Sequence, residues 1–201
     1  GEERASHWAH FQGRLTLLQT LGVGTLVIIP DFLSEPRGDD LARAMSSLRE
    51  AGALAQAHGV RLALEFQKTA RFCASLDTTL AFLAQSEAPG VGVCFDLFHY
   101  FTGPSKFEDL AYLSLETLAW VQISDLSGTP RELASDSDRI FPGDGDFSIT
   151  PILDHFARVG YTGPLSLELL NPMLWKIPAD RVADVGYQAV RRLIGPRHSQ
   201  T

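Results

Sequence analysis

Apolar runs of strand length alternate with helical stretches along this chain, and that alternation constrains the fold more than any other feature. The runs cover residues 25–29, 61–66, 91–95, 120–124 and 164–169. They are nearly continuous in apolar residues, as parallel strands buried on both faces are. A helix is predicted over 7–21, with Trp8, Phe11, Leu15, Leu18 and Leu21 at helical spacing and Gly22 and Gly24 after it. Further helices are predicted over 40–58, 77–86, 107–118, 148–159 and 179–194. The order is one helix followed by five βα units, which implies a parallel α/β sheet with right-handed crossovers. One strand every roughly 30–40 residues is the rhythm of a (β/α) barrel rather than of a solenoid.

The 201 residues suffice for one domain with a sizeable core, and a single domain over 1–201 is expected. A net charge of −7 argues against a nucleic-acid surface, which needs a basic stripe. No stretch is long and apolar enough to span a membrane. Cys73 and Cys94 offer at most one disulfide, and Cys94 reads as a small residue inside an apolar strand. The expected setting is reducing and cytoplasmic.

Four of the five strands end in groups that bind metals or move protons. These are Glu65, then Asp96 with His99 three residues on, then Gln122 with Asp125, and finally Glu168. A carboxylate at the end of a buried apolar strand is costly unless something compensates it. Recurrence at the same end of successive strands implies that those ends converge on one polar site, the face of an α/β barrel where chemistry is found. A loop over residues 126–147 comes after the fourth strand, and loops this long in a compact domain are often functional. No phosphate-binding glycine loop with its lysine and no nucleophile elbow is present.

Five pieces carry a resemblance. They are Leu64-Glu65-Phe66, Phe95-Asp96-Leu97-Phe98-His99, Val121-Gln122-Ile123-Ser124-Asp125, Asp138-Arg139-Ile140-Phe141-Pro142-Gly143-Asp144-Gly145, and Gly160-Tyr161-Thr162-Gly163 leading to Leu167-Glu168. In order and spacing the chain resembles the xylose-isomerase-like TIM-barrel superfamily over residues 8–194. That group includes sugar-phosphate isomerases and epimerases, hydroxypyruvate isomerases, inosose and dehydroshikimate dehydratases, and AP endonucleases. The resemblance implies a TIM-barrel (β/α)8 type represented by about five βα units, strands four to eight, with the first three units absent. Such a sheet has open parallel edges. It is either a piece of a longer chain or is covered by another chain, a homo-oligomeric partner being one candidate.

The resemblance also implies a divalent metal held by Glu65, Asp96, Gln122 and Glu168. Gln122 stands where many relatives have histidine, and an all-oxygen set favours Mn²⁺ or Mg²⁺ over Zn²⁺. Glu65 and Glu168 would be the paired catalytic glutamates, passing a proton through a metal-stabilised enediolate. His99 and Arg139 would contact substrate, Phe66 and Trp175 would wall the pocket, and Asp125 would orient a ligand from behind. The substrate expected is a small sugar or hydroxy-keto acid. A metal-dependent dehydratase and a non-catalytic barrel remnant are the alternatives. AP endonuclease activity is disfavoured, because one histidine at the strand ends is too few for several zinc ions.

The same residues have blander readings. Glu65 alone reads as a barrel-end salt bridge, His99 as a helix cap, and Arg139 as a loop arginine paired with Asp136 or Asp138. Lys68 and Arg71 read as a solvated loop. His7, His10, His58, His155 and His198 read as surface or helix-terminal residues.

Overall fold

The computed structural model describes residues 2–32 and 34–195. Helix α1 (Glu2–Leu21) precedes β1 (Thr25–Ile28), and α2 (Asp40–Ala57) precedes β2 (Arg61–Glu65). Next come α3 (Leu76–Ser86), β3 (Val91–Asp96), α4 (Leu97–Thr102) and β4 (Leu118–Ile123). The chain continues with α5 (Ile149–Arg158), β5 (Leu165–Leu167) and α6 (Ala179–Ile194). All five strands are parallel and lie in the sheet in chain order. This is a half-barrel of the α/β type.

Strand alternation divides the core. Leu64, Val93, Phe95, Val121 and Ile123 pack with Leu76, Leu80, Phe82, Leu83, Ile152, Leu153 and Phe156 from α3 and α5. The other side of the strands carries small residues, Ala63 and Cys94, with Val27 and Trp120 packed against them. Residues two apart on a strand share a face. Glu65 and Asp96 therefore rise from the same side as Ala63 and Cys94. The register sets Glu65 opposite Cys94 and Asp96 opposite Gln122, so the functional ends line up. The edge strands β1 and β5 are half-buried along their whole length.

Two elements differ from the sequence reading. In place of a helix over 107–118 there is a 3-10 turn, Phe107–Tyr112, and β4 begins at Leu118. The interval is a polar turn closed on itself: the Ser114 N–H donates to Thr117 Oγ1 at 2.9 Å, and the Thr117 N–H donates to Ser114 Oγ at 3.3 Å. Such side-chain bonds offer the backbone an alternative to a helix. Helix α4, absent from that reading, is capped by Asp96, whose Oδ1 accepts the His99 N–H at 2.8 Å. Both cysteines are free and buried. His58 ends α2, its Nδ1 2.9 Å from the Leu54 carbonyl, and His155 is half-buried on α5. His7 and His10 are exposed, and His198 lies outside the described residues. Among the described residues no helix is long and apolar enough to cross a membrane.

Gly92 marks where β3 and β4 approach most tightly, beside the register shift at Val93 and Cys94. A Cβ there would lie 2.7 Å from the Thr117 carbonyl oxygen and 2.9 Å from the Ala119 Cβ. Gly92→Ala is expected to destabilise the chain by about 1–3 kcal/mol. Gly13→Ala, in α1 with nothing within 4 Å, should instead stabilise it by about 0.5–1 kcal/mol. Urea unfolding of the two variants should show midpoints moving in opposite directions.

Candidate functional site

The strand ends bring three carboxylates together. Glu65 closes β2, Asp96 closes β3, and Glu168 lies one residue past β5, its N–H extending the ladder to the Ile123 carbonyl at 3.2 Å. One oxygen of each lies within 4.8 Å of the others. Glu65 and Asp96 are buried, Asp96 completely. Burial first, and then the charge of Asp96, push the Glu65 carboxyl up to about 7. Glu168 rises to about 8, first through burial and next through the neighbouring Asp96 side chain.

Arg139 compensates the cluster. Its guanidinium, 1% exposed, donates from Nη1 to Asp96 Oδ2 at 2.7 Å and to Ser124 Oγ at 3.3 Å. The same nitrogen lies 3.4 Å from Glu168 Oε2. Nε and Nη2 donate to Asp136 Oδ1 at 3.0 and 2.8 Å. The group also lies 4.4 Å from the centre of the Phe98 ring. The pairing with Asp136 is the bland reading of this arginine. The contact with Asp96 carries it further, into the floor of the site. Its donors are turned onto the site's own carboxylates.

His99 is held by the same framework. Its ring is buried, with Nε2 3.6 Å from Glu65 Oε1 and 3.5 Å from Arg139 Nη2. Burial pushes its pKa below the ordinary value, which keeps the ring neutral. Nδ1 has no hydrogen-bond partner among the described residues.

The donor chemistry fits a divalent cation. Three carboxylates converge, and Glu168 Oε2, buried, accepts no hydrogen bond among the described residues. Gln122 stands beside Asp96 in the register and adds a neutral carbonyl. Glu65, Asp96, Gln122 and Glu168 could therefore hold a hard ion through oxygen alone.

Other candidates fall elsewhere. Both Asp125 oxygens are taken by backbone: Oδ1 accepts from Leu126 and Phe147 at 2.9 and 3.0 Å, and Oδ2 accepts from Gly143 and Gly145 at 2.9 and 3.1 Å. Asp125 thus organises the long loop, and none of these bonds reaches Glu65, Asp96, Gln122 or Glu168. Gly145 is required there, since a Cβ would collide with Asp125 Oδ1 and the Leu126 carbonyl. Phe66 is completely buried and meets Phe95 edge-on in the core, so it does not wall a pocket; alternation turns it away from Glu65. Trp175 is 66% exposed on the loop after Glu168, its indole N–H donating to the Leu169 carbonyl at 3.1 Å. Lys68 is no free loop charge: its ammonium donates to the carbonyls of Arg131 and Ala134 and fastens the long loop to the end of β2. Arg71 meets the Phe32 carbonyl and Glu35 on the surface.

Sequence reasoning missed Ser124, which touches Arg139, and Cys94, whose Sγ donates to Gln122 Oε1 at 3.0 Å. The signal for Cys94 was its place two residues before Asp96.

The family model of the xylose isomerase-like TIM barrel matches residues 1–193. The chain is 26% identical over 177 residues to an inosose isomerase of Bacillus licheniformis, covering 85% of this chain and 62% of that protein. It is 25% identical over 182 residues to a 3-dehydroshikimate dehydratase of Pseudomonas putida, covering 88% of this chain and 28% of the other. The chain thus spans less than two thirds of these relatives. In fold it is similar to the IolI protein, whose crystal structure binds a zinc atom, with a TM-score of 0.87 at 22% identity over 96% of this chain and 71% of that one. The chain belongs to the xylose isomerase-like TIM barrel family.

Proposed function

We propose that this chain carries the metal-binding and proton-transfer half of a divalent-metal-dependent isomerase or epimerase acting on a small sugar or hydroxy-keto acid. The observation that carries the reading is the convergence of Glu65, Asp96 and half-buried Glu168 at strand ends, with Glu168 Oε2 accepting no hydrogen bond among the described residues. Glu65, Asp96, Gln122 and Glu168 would hold the ion, and the all-oxygen set favours Mn²⁺ or Mg²⁺ over Zn²⁺. When bound, the ion supplies Lewis-acid polarisation of adjacent carbonyl and hydroxyl oxygens.

The protein groups do the rest. One of the two glutamates removes the proton from the carbon beside the carbonyl, and the other returns a proton on the far side of the enediolate. Without the ion their carboxyls are raised to about 7 and about 8, and a bound cation would lower both towards the ionised form that takes a proton. His99, its Nε2 3.6 Å from Glu65 Oε1, would contact a substrate oxygen beside that carboxylate. Arg139 acts through Asp96 and Glu168, holding them in place. Trp175, exposed beside the strand end, is the aromatic surface open to a sugar ring. A second reading, dehydration, is favoured by the similarity to a 3-dehydroshikimate dehydratase. It begins with the same proton removal and differs in expelling a hydroxyl group.

Incubating the protein with inosose and Mn²⁺ in D₂O distinguishes these readings by NMR. Exchange of the proton beside the carbonyl with conversion to an isomer supports the isomerase. Loss of water supports the dehydratase, and no exchange means a non-catalytic remnant. Glu168→Gln and Glu65→Gln should each lower the exchange rate by about 10²–10⁴-fold, and chelator should abolish it. Turnover that survives full chelation would defeat the metal mechanism.

Stability should also report the site. The raised carboxyls of Glu65 and Glu168 hold protons in the folded chain that the unfolded chain releases near its ordinary value of 4.5. Stability therefore falls as pH rises towards about 8. His99, pushed down by burial, acts in the opposite sense below about pH 6.5. The fall should be clearest between about pH 6.5 and 8, read as the thermal midpoint in chelator. Mn²⁺ should flatten or reverse it, because the ion replaces the protons.

A further inference from the structure

One residue in the floor of the site has no part in the proposed reaction. Cys94 lies two residues before Asp96 on the same side of β3, opposite Glu65 in the register. It is completely buried. Its Sγ is 3.0 Å from Gln122 Oε1, with the thiol as donor. Gln122, whose carbonyl it holds, stands opposite Asp96 in the register. The sulfur itself is not a member of the cluster whose oxygens close to within 4.8 Å.

A glutamine amide is nearly symmetric in shape but not in chemistry. Its oxygen can bind a cation, whereas its NH₂ carries only donors and repels one. Nothing in the volume of a buried amide decides which end faces the ion. A hydrogen-bond donor behind it biases the choice, because a thiol donates to the oxygen, whereas with the amide reversed the sulfur would serve only as a weak acceptor of an N–H. The carbonyl has two acceptor directions, and the thiol occupies one of them. The other remains for a cation. Histidine ligands are commonly fixed in the same manner, by a partner on the ring nitrogen away from the metal.

We propose that Cys94 is a positioning residue for metal binding: its S–H selects the carbonyl end of Gln122 and turns that oxygen towards the ion held by Glu65, Asp96 and Glu168. This rests on the metal reading given above and assigns the thiol a role within it. The thiol lies with Ala63 and Ala119, and Val27 and Trp120 pack against them.

The test measures Mn²⁺ affinity directly, from the free-ion signal in electron paramagnetic resonance, for the full chain and its variants. Cys94→Ala is expected to weaken binding by roughly 10-fold or more, while Cys94→Ser, which keeps a donor, retains most of the affinity. In a Gln122→His background, where imidazole no longer needs the thiol to choose its end, Cys94→Ala should change affinity little. Thermal midpoints in chelator, taken for each variant, establish that all are folded. Wild-type affinity in Cys94→Ala would overturn the proposal. So would an equal loss in the Gln122→His background, which would mean that the sulfur acts only as packing. A wild-type chain that binds no Mn²⁺ would overturn the metal reading and this proposal with it. Wild-type binding left untouched by Cys94→Ala would overturn this proposal alone.

Discussion

The buried contact between Arg139 and Asp96, 2.7 Å long, is the interaction on which the rest of this site depends. Three carboxylates converging at the ends of parallel strands repel one another, and each loses water on burial. A single guanidinium, hydrogen-bonded along its length and nearly inaccessible, answers part of that cost. It does so from a loop rather than from a strand, which ties the loop conformation to the electrostatics of the sheet. Breaking such a pair leaves a buried charge without a partner, a change that typically costs about 3–5 kcal/mol. One positive charge against three negative ones still leaves a deficit. In the bare site, protons on Glu65 and Glu168 make it up. A divalent cation would balance it instead, since two positive charges added to that of Arg139 equal the three carboxylates.

The long loop after β4 is accordingly a wall and not a loose flap. Asp125 receives four backbone N–H groups from its two ends, Lys68 ties its middle to the end of β2, and Arg139 bolts it to β3. The Phe98 ring meets both Lys68 and Arg139, with ring-to-cation distances of 5.5 and 4.4 Å. Each device is local, yet together they hold a long stretch without regular secondary structure at a fixed distance from the carboxylates. A site whose groups must be held within fractions of an ångström needs this kind of support.

The sheet was legible because its signal is redundant. Five apolar runs separated by helical periodicity admit few arrangements, and all five strands formed in the expected order. The helix expected over 107–118 failed because helical spacing of apolar residues competes with local polar turns, here Ser114 with Thr117. Helix α4 was hidden because Asp96 ends the strand and caps the helix at once, and the six residues that follow are too few to show helical periodicity. At the site, the convergence of Glu65, Asp96 and Glu168 came from strand-end chemistry. The partners of Arg139 and the duty of Asp125 did not, since both depend on where a long loop returns. Phe66 was misassigned by ignoring alternation: the neighbour of an inward Glu65 must point outward into the core. Cys94 was passed over for the opposite reason, since the same alternation puts it under Asp96.

The placement of these groups also separates two tasks. Every proposed ligand lies on β2 to β5 or one residue beyond, four strands that are hydrogen-bonded neighbours, and the arginine that balances them is carried by the loop between β4 and α5. Nothing beyond these elements is needed to assemble the carboxylates. Selecting a substrate is different, because it requires walls on all sides of the ion. One side here is bounded by β1, an edge strand half-buried along its length, with Ile29 exposed just beyond it. An uncovered parallel edge with apolar residues invites cover. The convergence of the carboxylates can therefore be read from this chain, while what faces them depends also on what covers that edge. Relatives with similar sequence over this region are an isomerase in one case and a dehydratase in another. Similar sequences thus carry different activities, as expected where function lies in the groups placed on a fold rather than in the fold itself.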